Sequence, residues 1–330
     1  MLKFLSRALL LLLVGFLLWL AWEVGAPVQL PTAPYNLTLG PNRTLGQLAR
    51  ALEREGLVRN RYVMMELGRL AGIERKLKPG LYRFDKPLST WDLVDRLVQG
   101  KPDLSSLTVV EGWTFHQFRE AVDRLDDVQH ASMALSDEQL LSAIGATEEN
   151  PEGLFFPSTY YFSPGVRDID LFKHAYRTLQ SELNAAWNQR IGGLPYSTPY
   201  QLLTMASIIE KETAREQDRP LVAAVFTNRL KLGMRLQTDP SVIYGMGTRF
   251  VGNISKEDLR RDTPYNTYTR SGLTPTPIAL PGRASLLAAA HPAASQALYF
   301  VARGDGSSQF SATLEQHNAA VRKYILKKGK

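Results

Sequence analysis

The chain has 330 residues, a formal net charge of +7, 44% hydrophobic and 22% charged residues, and no cysteine. A chain of this length and apolar share can bury a sizeable core in two domains, which excludes general disorder. Absent cysteine excludes disulfides and thiolate metal sites, and the positive charge does not signal nucleic acid: basic residues are interleaved with acidic ones, as in Glu53-Arg54-Glu55 and Arg119-Glu120, with no arginine-rich arm.

Lys3 and Arg7 precede an uncharged, leucine-rich run from Ala8 to Trp22. With its flanks this run approaches the roughly 20 residues that cross a bilayer, and Trp19 and Trp22 stand where an interfacial belt falls. The reading is a transmembrane helix over 8–24, with residues 1–7 cytoplasmic. No lysine or arginine follows before Arg43, so the bulk of the chain is expected on the outer side of the cytoplasmic membrane. The competing reading is a cleavable signal ending at Val24-Gly25-Ala26, and Pro27 directly after that point argues against cleavage.

Pro27, Pro31 and Pro34 make residues 25–36 a stiff linker. Thr44 and Gln47 form a capping-box start for a helix stopped near Gly56, and a second helix is expected over Tyr62–Leu70. Leu81–Phe84 reads as a strand, and Ser89 caps a helix with Leu93, Val94 and Leu97 inward and Gly100 at its end. A strand over Leu107–Val110, a capped helix from Thr114 and a long helix over Asp168–Arg190 follow. Past Gly233 the pattern predicts short strands and proline-rich loops, closing with strands on either side of Gly304-Asp305-Gly306. The fold class is α+β.

The segment Ala206–Thr213 places Glu210 and Glu212 on a helix opened by Thr198 and Pro199. At about 100° per residue, Glu210 falls on one flank beside Leu203 and Ala206, and Glu212 on the other beside Met205 and Ile208. A carboxylate half sunk in hydrocarbon holds its proton to higher pH and can act as a general acid. The plainer alternative makes both rim charges paired with Lys211 or Arg215, and periodicity does not choose between the glutamates. His116, His130, His174, His291 and His317 lie in no zinc motif, no phosphate loop occurs, and Ser207 lacks a nucleophile-elbow setting. No metal or cofactor is expected.

Several ordered blocks accompany this helix: Glu152–Tyr160, Phe226–Leu230, Met234–Gly245, Tyr265–Tyr268, Ala289–Pro292, and Phe310–Thr313 with His317-Asn318. Together they resemble the YceG-like family of endolytic murein transglycosylases over nearly the whole chain. The resemblance implies a small LysM-like α/β subdomain at 37–106 and a mixed α+β catalytic domain at 107–330. It implies a membrane-anchored enzyme that cuts peptidoglycan glycan strands internally, between N-acetylmuramic acid and N-acetylglucosamine, leaving 1,6-anhydro ends. It also implies work beside glycan-polymerising penicillin-binding proteins. It assigns the catalytic role to the first glutamate, Glu210, and leaves Glu212 as a supporting carboxylate or a surface ion-pair partner. Gln237, Thr238, Asp239, Tyr244, Asn266 and Tyr268 are the expected substrate contacts, although Asp239-Pro240 could equally begin a turn or cap a helix, and Tyr265 and Tyr268 pack against loops. Two alternatives stand beside this reading, a water-using muramidase with Asp239 as second carboxylate and a non-catalytic murein-binding scaffold.

Overall fold

The computed structural model describes residues 2–39, 44–73, 77, 80–99, 104–213 and 215–326. They form two compact units, one of residues 1–106 with 161–166 and one of residues 107–160 with 167–330.

The first unit begins with α1 (Leu2–Gly25), whose Ser6–Gly25 stretch is long and apolar enough to cross a membrane, as a signal sequence would also be. Leu9 to Leu13, Leu17 and Leu18 are exposed, so it is not a core helix. The C-terminal end of α1 is held down. Arg59 lies 4.4 Å over the Trp22 ring and donates to the carbonyls of Ala26 and Pro27 at 2.9 and 2.8 Å, a cation where the helix dipole is negative and carbonyls lack partners. Val28 forms a bridge with Leu88, so the linker segment is docked at its first residues.

Strand β1 (Tyr35–Leu39) follows, then α2 (Leu45–Arg54) and α3 (Arg61–Leu70). The capping box of Thr44 and Gln47 opens α2, and Gly56, at φ +75°, turns the chain just beyond it. Strand β2 (Gly80–Phe84) pairs antiparallel with β1, Tyr35 opposite Phe84, and Leu37, Leu39, Tyr82 and Phe84 all enter the core. Helix α4 (Thr90–Gln99) starts from a reciprocal pair in which Asp92 N–H donates to Ser89 Oγ and Ser89 N–H to Asp92 Oδ2. Its expected terminator, Gly100, lies outside the described residues.

After β3 (Ser105–Thr108), the chain continues with α5 (Phe115–Asp123), α6 (Asp137–Ile144), β4 (Thr159–Phe162), α7 (Asp168–Gln189), α8 (Pro199–Glu212) and α9 (Arg219–Lys231), the five helices belonging to the second unit. Then come α10 (Asp239–Met246), α11 (Lys256–Arg260), α12 (Arg283–Ala290), β5 (Tyr299–Ala302), β6 (Ser308–Ser311) and α13 (Leu314–Tyr324). Strands β5 and β6 form an antiparallel hairpin.

Helix α8 is the centre of this unit. Every side chain from Leu202 to Ile209 is buried, because α7, α9, α10 and α12 pack around it. The alanines of α12 let it come close. Ser207 Oγ donates to Thr204 O and accepts from Ile278 N–H, so a buried hydroxyl fastens the loop before α12 to α8. On the far side, the rings of Phe115, Phe118, Phe155 and Phe172 pack together, with centroids 4.9 to 6.3 Å apart. Phe155, from one of the sequence blocks, is thus a core residue.

One expectation is corrected. Between Gly233 and Ala290 the described residues hold helices α10, α11 and α12 and no strand. Helices of five to eight residues show too few turns for a 3.6 period to emerge, and their prolines and alanines imitate loop composition.

Candidate active site

The last turn of α8 separates the two glutamates. Glu212 lines a cavity of about 390 Å³, together with Gln237, Asp239 and Tyr268 from the α9–α10 connection, α10 and the loop after α11. Arg229, Tyr299 and His317 complete its polar wall, and Leu236, Phe300 and Leu314 its apolar one.

Glu212 is held in place by Thr238, whose hydroxyl donates to its Oε2 at 2.6 Å. Thr238 occupies the N-cap position of α10 but makes no side-chain cap, because its hydroxyl is committed to the glutamate. It is buried and fixed on both sides: its N–H donates to Thr267 Oγ1 at 3.0 Å, and its carbonyl accepts from Ser241 Oγ at 2.8 Å. Gln237, immediately before it, has φ +51°, the one left-handed non-glycine residue of the chain's described backbone.

Burial pushes the Glu212 carboxyl above the ordinary range and Asp239 adds to the rise, while the Thr238 hydrogen bond and the Arg229 charge oppose it. The Tyr268 hydroxyl donates to Asp239 Oδ1 at 2.5 Å, and burial followed by that bond raises the phenol so that it stays a donor. His317 stacks on Tyr299 with centroids 5.2 Å apart, and burial, then Arg229, lower it toward the neutral imidazole. Among the described residues no cluster of three or more His, Asp or Glu could hold a metal ion.

Glu210 points elsewhere. Its side chain is 6% exposed, its Oε2 accepts from Gly282 N–H at 2.9 Å, and its Oε1 lies 3.7 Å from the buried Arg219 guanidinium. The pairing with Lys211 or Arg215 foreseen in the plainer reading is not what forms: Lys211 donates to Gly112 O at 3.0 Å. Glu111 joins the cluster, its carboxyl raised by burial and by Glu210 and lowered by Arg219. A Cβ on Gly282 would stand 1.9 Å from Glu111 Oε1, so the glycine is what lets this loop approach. This is an internal ion pair with no place in the cavity wall.

Of the six expected substrate contacts, Gln237, Asp239 and Tyr268 reach the cavity, and Thr238 stands beneath it as the support of Glu212. The other two do not. The Tyr244 hydroxyl donates to Glu152 Oε2 at 3.2 Å and its ring meets Tyr265 edge-on. Asn266 is buried and donates to the carbonyls of Asp258, Leu259 and Arg261, closing the end of α11. Arg229 and Tyr299 were not foreseen from the sequence, and His317 was given no role in the site. Arg229 and His317 stood in the blocks that carried the resemblance, and their co-occurrence there was the available signal. Also unforeseen was Glu152, 5% exposed, which accepts from Phe115 N–H at 3.0 Å and is pushed up by burial to about 7.

A desolvated carboxyl with its own hydrogen-bond donor, facing a polar cavity, is the arrangement that carboxylate-centred catalysis requires. The chain belongs to the YceG-like family, which it matches over residues 37–323. It is 30% identical over 311 residues to an endolytic murein transglycosylase of Bacillus subtilis, covering 89% of this chain and 85% of that protein. It is also 30% identical over 320 residues to an endolytic murein transglycosylase of Streptococcus pneumoniae, where the match covers 84% of this chain but 56% of the relative's length. The crystal structure of a yceG-like protein from Listeria monocytogenes superimposes with a TM-score of 0.53 at 26% identity, covering 87% of this chain and 99% of that one.

Proposed function

We propose that this protein is a membrane-anchored lytic transglycosylase that cleaves peptidoglycan strands internally after N-acetylmuramic acid, with Glu212 rather than Glu210 as its proton donor. The observation that carries the assignment is the Glu212 carboxyl, desolvated, bonded to Thr238 and open to a cavity lined by Gln237, Asp239 and Tyr268. The names of the relatives supply the substrate class.

Cleavage requires a proton at the bridging oxygen as positive character grows on the anomeric carbon. Glu212, kept protonated by burial, delivers it. The muramyl 6-hydroxyl then attacks the anomeric carbon and gives its proton to the ionised Glu212, so one side chain serves as acid and then base, and no water is consumed. Thr238 favours the ionised form: its short bond to Oε2 stabilises the carboxylate left after proton transfer. Gln237, Asp239 and Tyr268 orient the ring, which is the main positional demand of an internal displacement.

Helix α1 serves in this reading as a single-pass anchor with its N-terminus inside, and the first unit as a LysM-like glycan grip. Penicillin-binding proteins are the partners proposed. Hydrolysis is the second reading, favoured by one observation: Asp239 brings another carboxylate to the same cavity. Digestion of peptide-free glycan strands by the detergent-solubilised full chain separates the two. Mass spectrometry should find anhydro ends, each one water lighter than a reducing end, and reducing ends alone would favour hydrolysis. No release of fragments would leave a murein-binding scaffold.

A further inference from the structure

The Arg229 guanidinium is buried at the back of the Glu212 cavity, and nothing in the chemistry above uses it. It leaves α9 to donate through Nε to Leu298 O at 2.7 Å and through Nη1 to Leu236 O at 2.8 Å. The same Nη1 reaches Arg235 O at 3.3 Å and Gln237 Oε1 at 3.4 Å. Its plane lies 5.2 Å from the Tyr299 ring, and burial lowers its pKa from an ordinary value so high that it stays cationic. A single cation therefore gathers the two carbonyls before Gln237, the Gln237 side chain and the start of β5.

That convergence falls on the one strained non-glycine residue described, Gln237 at φ +51°. An L-residue with a long side chain stays there only when its surroundings hold it. Its N–H, bonded to Thr267 O at 3.1 Å, is one hold, and the Arg229 fork on the two preceding carbonyls is the other. The residue after it is Thr238, the partner of Glu212.

We propose that Arg229 is a positioning residue of the active site, clamping the 235–237 turn so that Gln237 faces the saccharide and Thr238 meets Glu212, while keeping a fixed positive charge behind the carboxylate. This rests on the lytic transglycosylase reading with Glu212 at its centre. The groups facing Glu212 are Arg229 from α9, Asp239 from α10, Tyr268 from the following loop, Tyr299 from β5 and His317 from α13; Lys211, its neighbour on α8, turns away to Gly112 O. Arg229 is the buried cation among them.

Three single variants and one double variant of the full chain test it on glycan strands, with thermal melting measured alongside. Arg229→Lys keeps the charge and loses the fork. It should lower kcat/KM roughly tenfold while leaving the alkaline limb of the kcat profile in place. Arg229→Gln removes the charge and should move that limb to higher pH, a change that a purely structural arginine would not produce. Gln237→Gly relieves the left-handed strain and removes no buried group, so it should melt no lower than the parent yet lose roughly tenfold in kcat/KM. Combined with Arg229→Lys it should cost little more than either change alone. An unmoved limb in Arg229→Gln, or full kcat/KM in Gln237→Gly, would overturn the proposal, and Gln237→Gly decides even where an arginine variant fails to melt cooperatively. If the parent chain releases no fragments, the underlying reading fails instead, which is a separate outcome.

Discussion

Glu210 and Glu212 are two positions apart, and on a helix that spacing turns them toward different neighbours. The helical period placed them on separate flanks without choosing between them, and the resemblance assigned Glu210, whereas the choice depends on what packs there. Glu210 meets Arg219 and the Gly282 amide, whereas Glu212 meets Thr238 and open space. Those partners come from segments nine to 72 residues away, which no local pattern encodes. The Thr238 bond also gives a pH prediction. It favours the ionised form of Glu212, so Thr238→Val should raise that carboxyl further and shift the alkaline limb of kcat to higher pH. A pH–rate profile checks this, and a limb that stays or falls would count against Thr238 as the carboxylate's support.

At the scale of elements, the helices with side-chain caps were the legible ones. Thr44 with Gln47 and Thr114 with Gln117 form the expected capping boxes, and Thr198 with Pro199 opens α8. At α8 the glutamine departs from the box: Gln201 Oε1 accepts from Ser197 N–H, one residue earlier than expected. The short helix α10 was seen only as an alternative at Asp239, since Thr238 spends its hydroxyl on Glu212, and α12 was not legible, since Gly282 has no hydroxyl to offer. The start of α12 is instead fixed by contact. Gly282→Ala would drive a methyl into the carboxyl end of the exposed Glu111 side chain, and the variant should lose about 0.5–1 kcal/mol of stability in denaturant unfolding. An unchanged midpoint would mean that the Glu111, Glu210 and Arg219 cluster is loose.

For the molecule as a whole, the α+β class and the apolar first helix were readable from composition and pattern, while the burial of Glu152 was not. Its folded carboxyl titrates at about 7 against an unfolded value of 4.5. The folded state therefore binds the proton more tightly, so the associated stability is fully present below pH 4.5 and is lost as pH rises through 7. At about 1.4 kcal/mol per unit this amounts to about 3 kcal/mol across that window. Glu152→Gln keeps an acceptor for Phe115 N–H and should flatten the fall, which melting curves between pH 5 and pH 8 would reveal. A slope equal to the parent's would assign the dependence to other groups.

Cleavage by this protein turns on which glutamate carries the proton. Rates of glycan-strand cleavage by folded Glu212→Gln and Glu210→Gln, measured side by side on the full chain, decide it. Glu212→Gln should lose roughly 10²–10⁴-fold in kcat with its melting temperature maintained. Glu210→Gln should keep turnover within about tenfold and lose stability instead, because Arg219 is left without its carboxylate. Near-normal cleavage by Glu212→Gln, or its abolition in a stably folded Glu210→Gln, would contradict the account.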